Sequence, residues 1–241
     1  MNPIRSNINN LISLWQSADK SQSSHHKGEA FSVQTAINSE WPNKLWFTGS
    51  IDEQIIHSAK DFIQSSLVQL SVPHWHTEDN DTRQLFATAG FEVAFEQTGM
   101  SLALNGSYKT DSALNISKVS DQASARLWSS LFEQAFGYHL DSHLLLPQQQ
   151  TDLLVAHYQG APVGTGIIHY SDVHIAGIHA MGIIPSMRRK GFAEEMMHDM
   201  LNRASEKNAS HATLQASTMG KGLYLKMGFQ EDFLQTNYQL K

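Results

Sequence analysis

The sequence predicts a mixed α/β fold, and three observations support this prediction. Strand-like and helix-like patterns of apolar residues alternate through the second half of the chain. Within that half, an apolar strand, a basic loop and an amphipathic helix follow one another without a gap. A stretch of the first half also recurs in the second half at a fixed spacing. Together they indicate strands of one mixed sheet that helices cover.

The strongest helix pattern begins near Ala193. Its apolar residues fall on one helical stripe, and they are Ala193, Met196, Met197, Met200, Leu201 and Ala204. Glu194 and Glu195 lie in the first turn, where acidic side chains complement the helix dipole. We therefore predict a helix that begins directly after the loop following Pro185.

That loop combines basic and small residues. Arg188, Arg189 and Lys190 supply positive charge, and Gly191 and Ala193 have little side chain to keep a ligand from the backbone. Free N–H groups at a helix N-terminus bind anions, so the loop is a candidate site for a phosphate or pyrophosphate. It matches neither the Walker A pattern nor G-x-G-x-x-G. The alternative is a capped helix with solvated basic residues.

The rest of the second half alternates between strands and helices. Residues 123–136 predict a helix that Ser120 or Asp121 caps and Gly137 ends. A Gln159–Pro162 turn joins the two strands of a hairpin, and a short helix is expected over 219–227. The predicted strands are 114–119, 153–158, 163–170, 175–184, 212–217 and 233–240.

The first half predicts an N-terminal amphipathic helix and then a polar loop over residues 16–29. The apolar residues of that helix are Ile4, Ile8, Leu11, Ile12 and Trp15. Strands are expected around Phe31 and at 45–47 and 72–76, with a helix over 55–67. Residues 105–112 are polar and contain Gly106, which indicates a linker.

An internal repeat links the two halves. Leu85–Phe91 matches Leu223–Phe229 at an offset of 223 − 85 = 138, and the helical stripes align at the same offset. We predict two copies of one supersecondary plan, divided into domains 1–112 and 113–241. The first copy has Ser50, Glu53, Ile55 and Phe86 opposite Arg188, Gly191, Ala193 and Tyr224, so it is predicted to be degenerate.

The pattern Arg188-x-x-Gly191-x-Ala193, the segment Gly222–Phe229 and the order of elements resemble the GNAT superfamily of N-acetyltransferases. The resemblance implies the acyl-CoA N-acyltransferase fold in two tandem copies, with one acetyl-CoA site in the second copy. Many members have Asn after the penultimate strand, whereas Ser217-Thr218-Met219-Gly220 stands here.

By this resemblance, backbone groups at Met181, Gly182 and Ile183 bind the pantetheine arm, and Ser217 also contacts the coenzyme. The pyrophosphate is expected on the amides of Arg188, Arg189, Lys190, Gly191, Phe192 and Ala193. Tyr224 matches the tyrosine that protonates the leaving thiolate; the alternative is a core tyrosine. The general base stays open between His179, Glu133 and water.

The implied activity is direct transfer of an acetyl group from acetyl-CoA to a primary amine of a small molecule or peptide. The chain has no cysteine, which excludes a cysteinyl acyl-enzyme. The alternatives are a non-catalytic CoA-binding regulatory module and structural pairing without a ligand. No metal site is expected, because His25 and His26 have no further ligands nearby. The group His74, His76, Glu78 and Asp79 reads as polar residues at a strand end.

Composition excludes several other classes. The net charge of −6 makes nucleic acid an unexpected partner. No run of about 18 apolar residues occurs, so neither a membrane span nor membrane binding is expected. The first residues lack the apolar core of a signal peptide. We expect a cytoplasmic monomer or homodimer.

Overall fold

A computed structural model describes residues 2–18, 21, 23–77, 82–109, 113–141, 144 and 149–241. Its α-helices are α1 (Pro3–Gln16), α2 (Glu53–Ser65), α3 (Arg83–Thr88), α4 (Gln122–Phe136), α5 (Phe192–Glu206) and α6 (Lys221–Lys226). Its strands are β1 (Ser23–Lys27), β2 (Phe31–Ala36), β3 (Lys44–Phe47), β4 (Val72–His76), β5 (Phe91–Ala103), β6 (Leu114–Lys118), β7 (Thr151–Tyr158), β8 (Ala161–Asp172), β9 (Ile175–Ile183), β10 (His211–Ser217) and β11 (Gln230–Leu240). The predicted order of elements in the second half is confirmed.

Most of the strands belong to one mixed sheet, as predicted. Over the described residues it has eight strands in the order β4-β11-β5-β10-β9-β8-β7-β6. Strands β1, β2 and β3 form a separate antiparallel sheet. A single parallel bridge between Lys44 and Ser71 connects β3 to β4. The mixed sheet therefore contains strands from both halves of the chain.

Strand β5 of the first half lies between β10 and β11 of the second half. It pairs antiparallel with β10 from Gln97 to Ala103 and with β11 along almost its whole length. Strand β4, also from the first half, then covers the outer edge of β11. The sequence did not predict this interleaving, and the division into domains 1–112 and 113–241 stays a prediction about the sequence.

Strands β5 and β11 show a local two-fold relation where they pair. Gln97 of β5 lies directly opposite Gln235 of β11, and their numbers differ by 235 − 97 = 138, the offset of the repeat. The pairing skips one residue in each strand, at Ala94 and at Asp232, which differ by the same 138. Two copies of one plan that meet at their last strands would produce this arrangement, so the register supports the predicted tandem architecture.

Helices pack on both faces of the mixed sheet because side chains alternate between the faces along each strand. Helix α5 buries its methionine-rich stripe, including Met196 and Met200, against Ile178 and Leu214. Helix α4 packs Trp128 against Ile167. Helix α1 contacts several central strands of the same sheet. The sheet therefore has a helix-covered core on each side of β9.

Local signals placed most element boundaries correctly. Asp121 caps α4 by accepting a 2.8 Å hydrogen bond from the Ser124 N–H, and Gly137 ends it at φ 80°. The region expected to be a loop over 16–29 is wrong in part, because Ser23–Lys27 forms β1. That strand is polar and mostly exposed, so it has no apolar alternation to detect. The linker residues 110–112 and the acidic pair Glu78 and Asp79 lie outside the described residues.

Candidate functional site

Strands β9 and β10 pair only at their beginnings. Their parallel register joins His211 to Ile175, Ala212 to Ala176 and Thr213 to Gly177, and no later pair forms among the described residues. Residues 178–183 of β9 and 214–217 of β10 then diverge. We call this divergence, beyond Gly177 and Thr213, the fork. The two diverging strands border a gap in the sheet, the cleft.

A β-bulge in β9 accompanies the fork. Pairing with β8 moves from Thr165 opposite Gly182 to Ile167 opposite His179, so β9 has one extra residue there. Ala180 takes a φ of +47°, which residues other than glycine rarely adopt. The Thr165 hydroxyl donates a 3.0 Å hydrogen bond to the Ala180 carbonyl. A bulge bends its strand, so it directs β9 away from β10.

The three β9 residues predicted to bind the pantetheine arm border this cleft. Met181 and Gly182 are half-buried, and Ile183 is buried. A Cβ atom on Gly182 would lie 2.7 Å from the Phe136 ring, so only glycine lets the end of α4 pack this closely. Their side chains are thus compact or turned into the core, which leaves backbone groups to contact a ligand.

The loop after β9 leads into helix α5, whose N-terminus has no side-chain cap. A short 3-10 turn at Pro185–Met187 leads to Gly191, the N-cap of α5, which has φ +83° and no side chain to accept a hydrogen bond. The backbone N–H groups of residues 189–193 have no acceptor among the described residues. Arg189 is also in the left-handed region, at φ +62°. Successive free N–H groups at a helix N-terminus make an anion-binding concavity.

The three basic residues of the loop are placed differently. Arg188 donates from Nε to the Ile183 carbonyl at 3.0 Å and from Nη2 to the Ala135 carbonyl at 2.9 Å. It therefore fastens the end of β9 to the last turn of α4, where a cation also complements the helix dipole. Lys190 is exposed, with Nζ 3.6 Å from the Met187 sulfur. Only Arg189 and Lys190 keep their charge available to a ligand in the loop.

Phe192 and Ala193 direct their side chains into the protein. Phe192 is buried against Tyr158, with ring centroids 4.7 Å apart, and Ala193 packs on the core below α5. Buried Glu195 accepts a 2.8 Å hydrogen bond from the Leu114 N–H and fixes the start of β6 to α5. Packing therefore holds the first turn of α5 in place and leaves only its main chain for an anion.

Ser217 and Tyr224 lie at and beyond the end of β10. The Ser217 hydroxyl accepts a 3.2 Å hydrogen bond from the Gly220 N–H and stabilises the turn into α6. Tyr224 is 9% exposed, and burial raises its pKa to about 12. Its hydroxyl is therefore protonated at neutral pH and can donate a hydrogen bond. An ion pair of 2.9 Å between Lys226 and Glu194 ties α6 to the first turn of α5.

The two candidate bases are placed unequally. His179 lies at the fork, where burial first and the neighbouring His169 second lower its pKa to about 3. Such an imidazole stays neutral and is a weak proton acceptor at neutral pH. Glu133 is exposed on α4, with its carboxylate 3.5 Å from His139 Nδ1. The structure thus places one candidate in the cleft with an unsuitable pKa and the other at the surface.

The histidines of β4 have protein partners. His74 Nε2 is 2.7 Å from the Thr82 hydroxyl, and His76 Nε2 is 2.9 Å from the Thr236 hydroxyl. Burial, and then the charge of His76, lowers the pKa of His74 to about 4. Among the residues described, no three metal-capable side chains come together. In the same residues no helix has the length and apolarity that crossing a membrane requires.

The chain matches the sequence profile of the acetyltransferase (GNAT) domain over residues 118–238. No curated protein sequence matches it. Among solved structures, a GCN5-related N-acetyltransferase from Kribbella flavida superposes with a TM-score of 0.74 at 13% identity, over 98% of this chain and 94% of that one. An enzyme of the same description from Sphaerobacter thermophilus gives 0.67 at 14% identity, over 95% and 84%.

A third solved structure concerns the tandem arrangement. A tandem GNAT protein from the clavulanic acid biosynthesis pathway superposes with a TM-score of 0.62 at 8% identity, over 95% of this chain and 86% of that one. At these identities the superpositions show the fold alone. The predicted mixed-sheet acyltransferase fold is therefore confirmed, and it extends over nearly the whole chain.

Proposed function

This chain belongs to the GNAT acetyltransferases, and on that premise we propose that it transfers an acetyl group from acetyl-CoA directly to a primary amine. The observation that carries the proposal is a juxtaposition along one strand. The fork opens beside the second half of β9, and the uncapped N-terminus of α5 follows that strand after one short turn. A slot for a thin arm thus leads to a site for a pyrophosphate.

The loop has the chemistry to hold a diphosphate. The free amides of residues 189–193 point positive partial charges at the site, and Arg189 and Lys190 add full charges. A Cβ atom on Gly191 would meet no atom within 4 Å, so the space above its backbone is open. We assign the pyrophosphate to this loop and the pantetheine arm to the fork beside Met181, Gly182 and Ile183.

The transfer step follows from this placement. The amine nitrogen attacks the thioester carbonyl, a C–N bond forms, and the C–S bond breaks. The departing thiolate takes a proton from the Tyr224 hydroxyl as negative charge develops on sulfur, and the phenolate, a strong base because the pKa of Tyr224 is raised, regains a proton from water. We assign the proton that the amine loses to water, since the lowered pKa of His179 makes it a weak base and its Nε2 is already hydrogen-bonded to Asn10. Holding the two reactants together supplies the proximity contribution.

A direct assay tests this proposal. The purified full chain is incubated with acetyl-CoA and a panel of polyamines, amino sugars, aminoglycosides and lysine peptides, and free thiol is measured. We expect thiol release that depends on one class of amine and matches the acetylated product in amount. Coenzyme binding without turnover on any amine would contradict the catalytic proposal and favour a non-catalytic CoA-binding module.

A further inference from the structure

An open fork needs a structure that holds it open. Neighbouring parallel strands gain backbone hydrogen bonds when they pair, and β9 and β10 stop pairing after Gly177 and Thr213. The bulge at Ala180 bends β9, but it does not explain why β10 stays unpaired on the side that faces β9. Helix α1, from the other end of the chain, lies across the sheet here and contacts β8, β9, β10 and β5.

Asn10 of α1 binds the β9 side of the fork. Its Nδ2 donates to the His169 carbonyl and to the Ser171 hydroxyl, each at 2.9 Å, so its Oδ1 is the acceptor for His179 Nε2 at 2.8 Å. The strand admits this amide only because residue 177 is glycine. A Cβ atom on Gly177 would lie 1.7 Å from Asn10 Oδ1. Asn10 therefore fixes β8 and β9 at the point where β9 turns away.

Asn7, one turn earlier, binds the β10 side. Its Nδ2 donates to the carbonyls of Met100 at 3.0 Å and Leu214 at 3.2 Å, and its Oδ1 accepts a hydrogen bond from Gln215 Nε2. The Gln215 carbonyl itself accepts a 3.3 Å hydrogen bond from Gln97 Nε2. Polar side chains thus bind Leu214 and Gln215, the first two residues of β10 in the fork.

The two asparagines belong to one turn of α1, yet they bind strands on opposite sides of the fork. Three residues of an α-helix advance about 4.5 Å, so a single turn links two strands whose backbones do not pair here. Asn7 and Asn10 are both completely buried, and buried amides are retained where all their groups are paired. One helical turn therefore reaches from the β10 side of the fork to the β9 side.

We infer that Asn7 and Asn10 are positioning residues that hold β9 and β10 apart and so set the width of the cleft. This inference rests on the proposed function insofar as the cleft receives the arm of acetyl-CoA. It also gives the N-terminal helix a role at a site that otherwise consists of residues from the second half.

Hydrogen exchange of the full chain tests this role of Asn7 and Asn10 without any ligand. In the double variant Asn7→Ala/Asn10→Ala the two strands can pair further, so we expect the amides of segments 178–183 and 214–217 that face the fork to exchange about 10-fold more slowly. Leu14→Ala removes a buried α1 side chain that contacts the α4 side of the core, so it is the control for general destabilisation. Asn9→Ala changes an exposed asparagine of the same helix. Exchange no slower than in Leu14→Ala, compared at equal distance below each Tm, would overturn the inference.

Calorimetry with CoA extends the test to the site. The double variant should bind CoA about 10-fold more weakly, whereas Leu14→Ala and Asn9→Ala should stay within about twofold of the unaltered chain. Unchanged CoA affinity in the double variant would show that Asn7 and Asn10 do not set the width of the cleft. If the unaltered chain itself fails to bind CoA, the proposed function fails, and hydrogen exchange alone decides whether the asparagines hold the fork.

Discussion

Helices α2 and α5 are related by the 138-residue offset, yet they begin in opposite ways. Asp52 caps α2 and accepts a 2.8 Å hydrogen bond from the Ile55 N–H. At the equivalent position, 52 + 138 = 190, the second half has a lysine, and Gly191 then caps α5 without a side chain. One helix neutralises its own N-terminus with a carboxylate, and the other leaves its N–H groups free. The same plan thus supports a self-satisfied helix and an anion site, depending on two residues.

The largest effect is expected from the hydroxyl that distinguishes Tyr224 from Phe86, the equivalent residue of the first half. Tyr224→Phe should lower kcat about 100-fold or more while CoA affinity stays unchanged, because the proton donor to sulfur is lost and the packing is kept. Steady-state kinetics with the best amine of the panel measures this. An unchanged kcat would assign Tyr224 to the core alone.

The reverse exchange is the control. Phe86 is fully buried and stacks on Tyr238 with centroids 3.9 Å apart. Phe86→Tyr should cost about 1–3 kcal/mol of stability, since it buries a hydroxyl without a prepared partner. It should leave kcat as it is. An altered kcat in this variant would show that the first half takes part in the chemistry.

The next effect concerns the free helix N-terminus. Gly191→Glu should raise the Kd for CoA about 100-fold, or ~2.7 kcal/mol. It introduces a carboxylate beside the proposed pyrophosphate site and forces a side chain into φ +83°. Gly106→Glu is a matched control, because Gly106 has φ +103° and equally open surroundings, and it follows β5 near Ala103, which pairs with the first residue of β10 at the end away from the fork. Calorimetry that finds the two variants equal in CoA affinity would remove the loop from the site.

Acidification should separate α1 from the sheet. Burial lowers the pKa of His169 to about 4, well below the value of about 6.5 that it regains on unfolding. Between these values the unfolded chain binds more protons, so stability falls as pH falls through this window, by up to about 1.4 kcal/mol per pH unit for each such group. His179, which contacts α1 as well, behaves alike down to about pH 3.

Urea unfolding at several pH values between about 7 and 4.5 measures this dependence. His169→Gln should reduce the slope, because its amide can keep hydrogen bonds to Thr151 and Ser13 without titrating. If stability in His169→Gln depends on pH as strongly as in the unaltered chain, His169 is not a source of that dependence.

The smallest effect tests the caps. Asp52→Ala should destabilise the protein by about 1 kcal/mol, because the N-cap hydrogen bond of α2 is lost. Lys190→Ala, at the equivalent position, should change the Tm very little, since α5 has no cap to lose. Thermal unfolding of both variants measures the difference. Equal losses would mean that the two helix starts are not energetically distinct.

Local sequence signals gave most of the fold. Apolar periodicity located α5 and α2, and capping residues located the ends of α4, because these features depend on neighbours along the chain. The loop residues Arg188 to Ala193 were identified by their charge and size, and the structure places their backbone at a helix start, as expected. That they bind a coenzyme stays a prediction.

Features that depend on distant partners were not readable. Nothing near Ala180 indicates a positive φ, and the hydrogen bonds of Arg188 to Ile183 and Ala135 depend on how α4 packs. The asparagines of α1 read as polar residues of an amphipathic helix, although Asn7 and Asn10 are fully buried. Their partners lie more than 90 residues away in sequence. A signal was available, since two asparagines spaced by one turn beside apolar residues are costly to bury unless paired.

The threading of β5 between β10 and β11 has a consequence for dissecting the molecule. A fragment that starts after residue 112 would retain β10 and β11 but leave a gap one strand wide between them, with two unsatisfied edges facing it. Such a piece would self-associate or misfold rather than report on the second copy alone. The two halves of the chain must therefore fold together, because each supplies a strand that the other half's sheet needs.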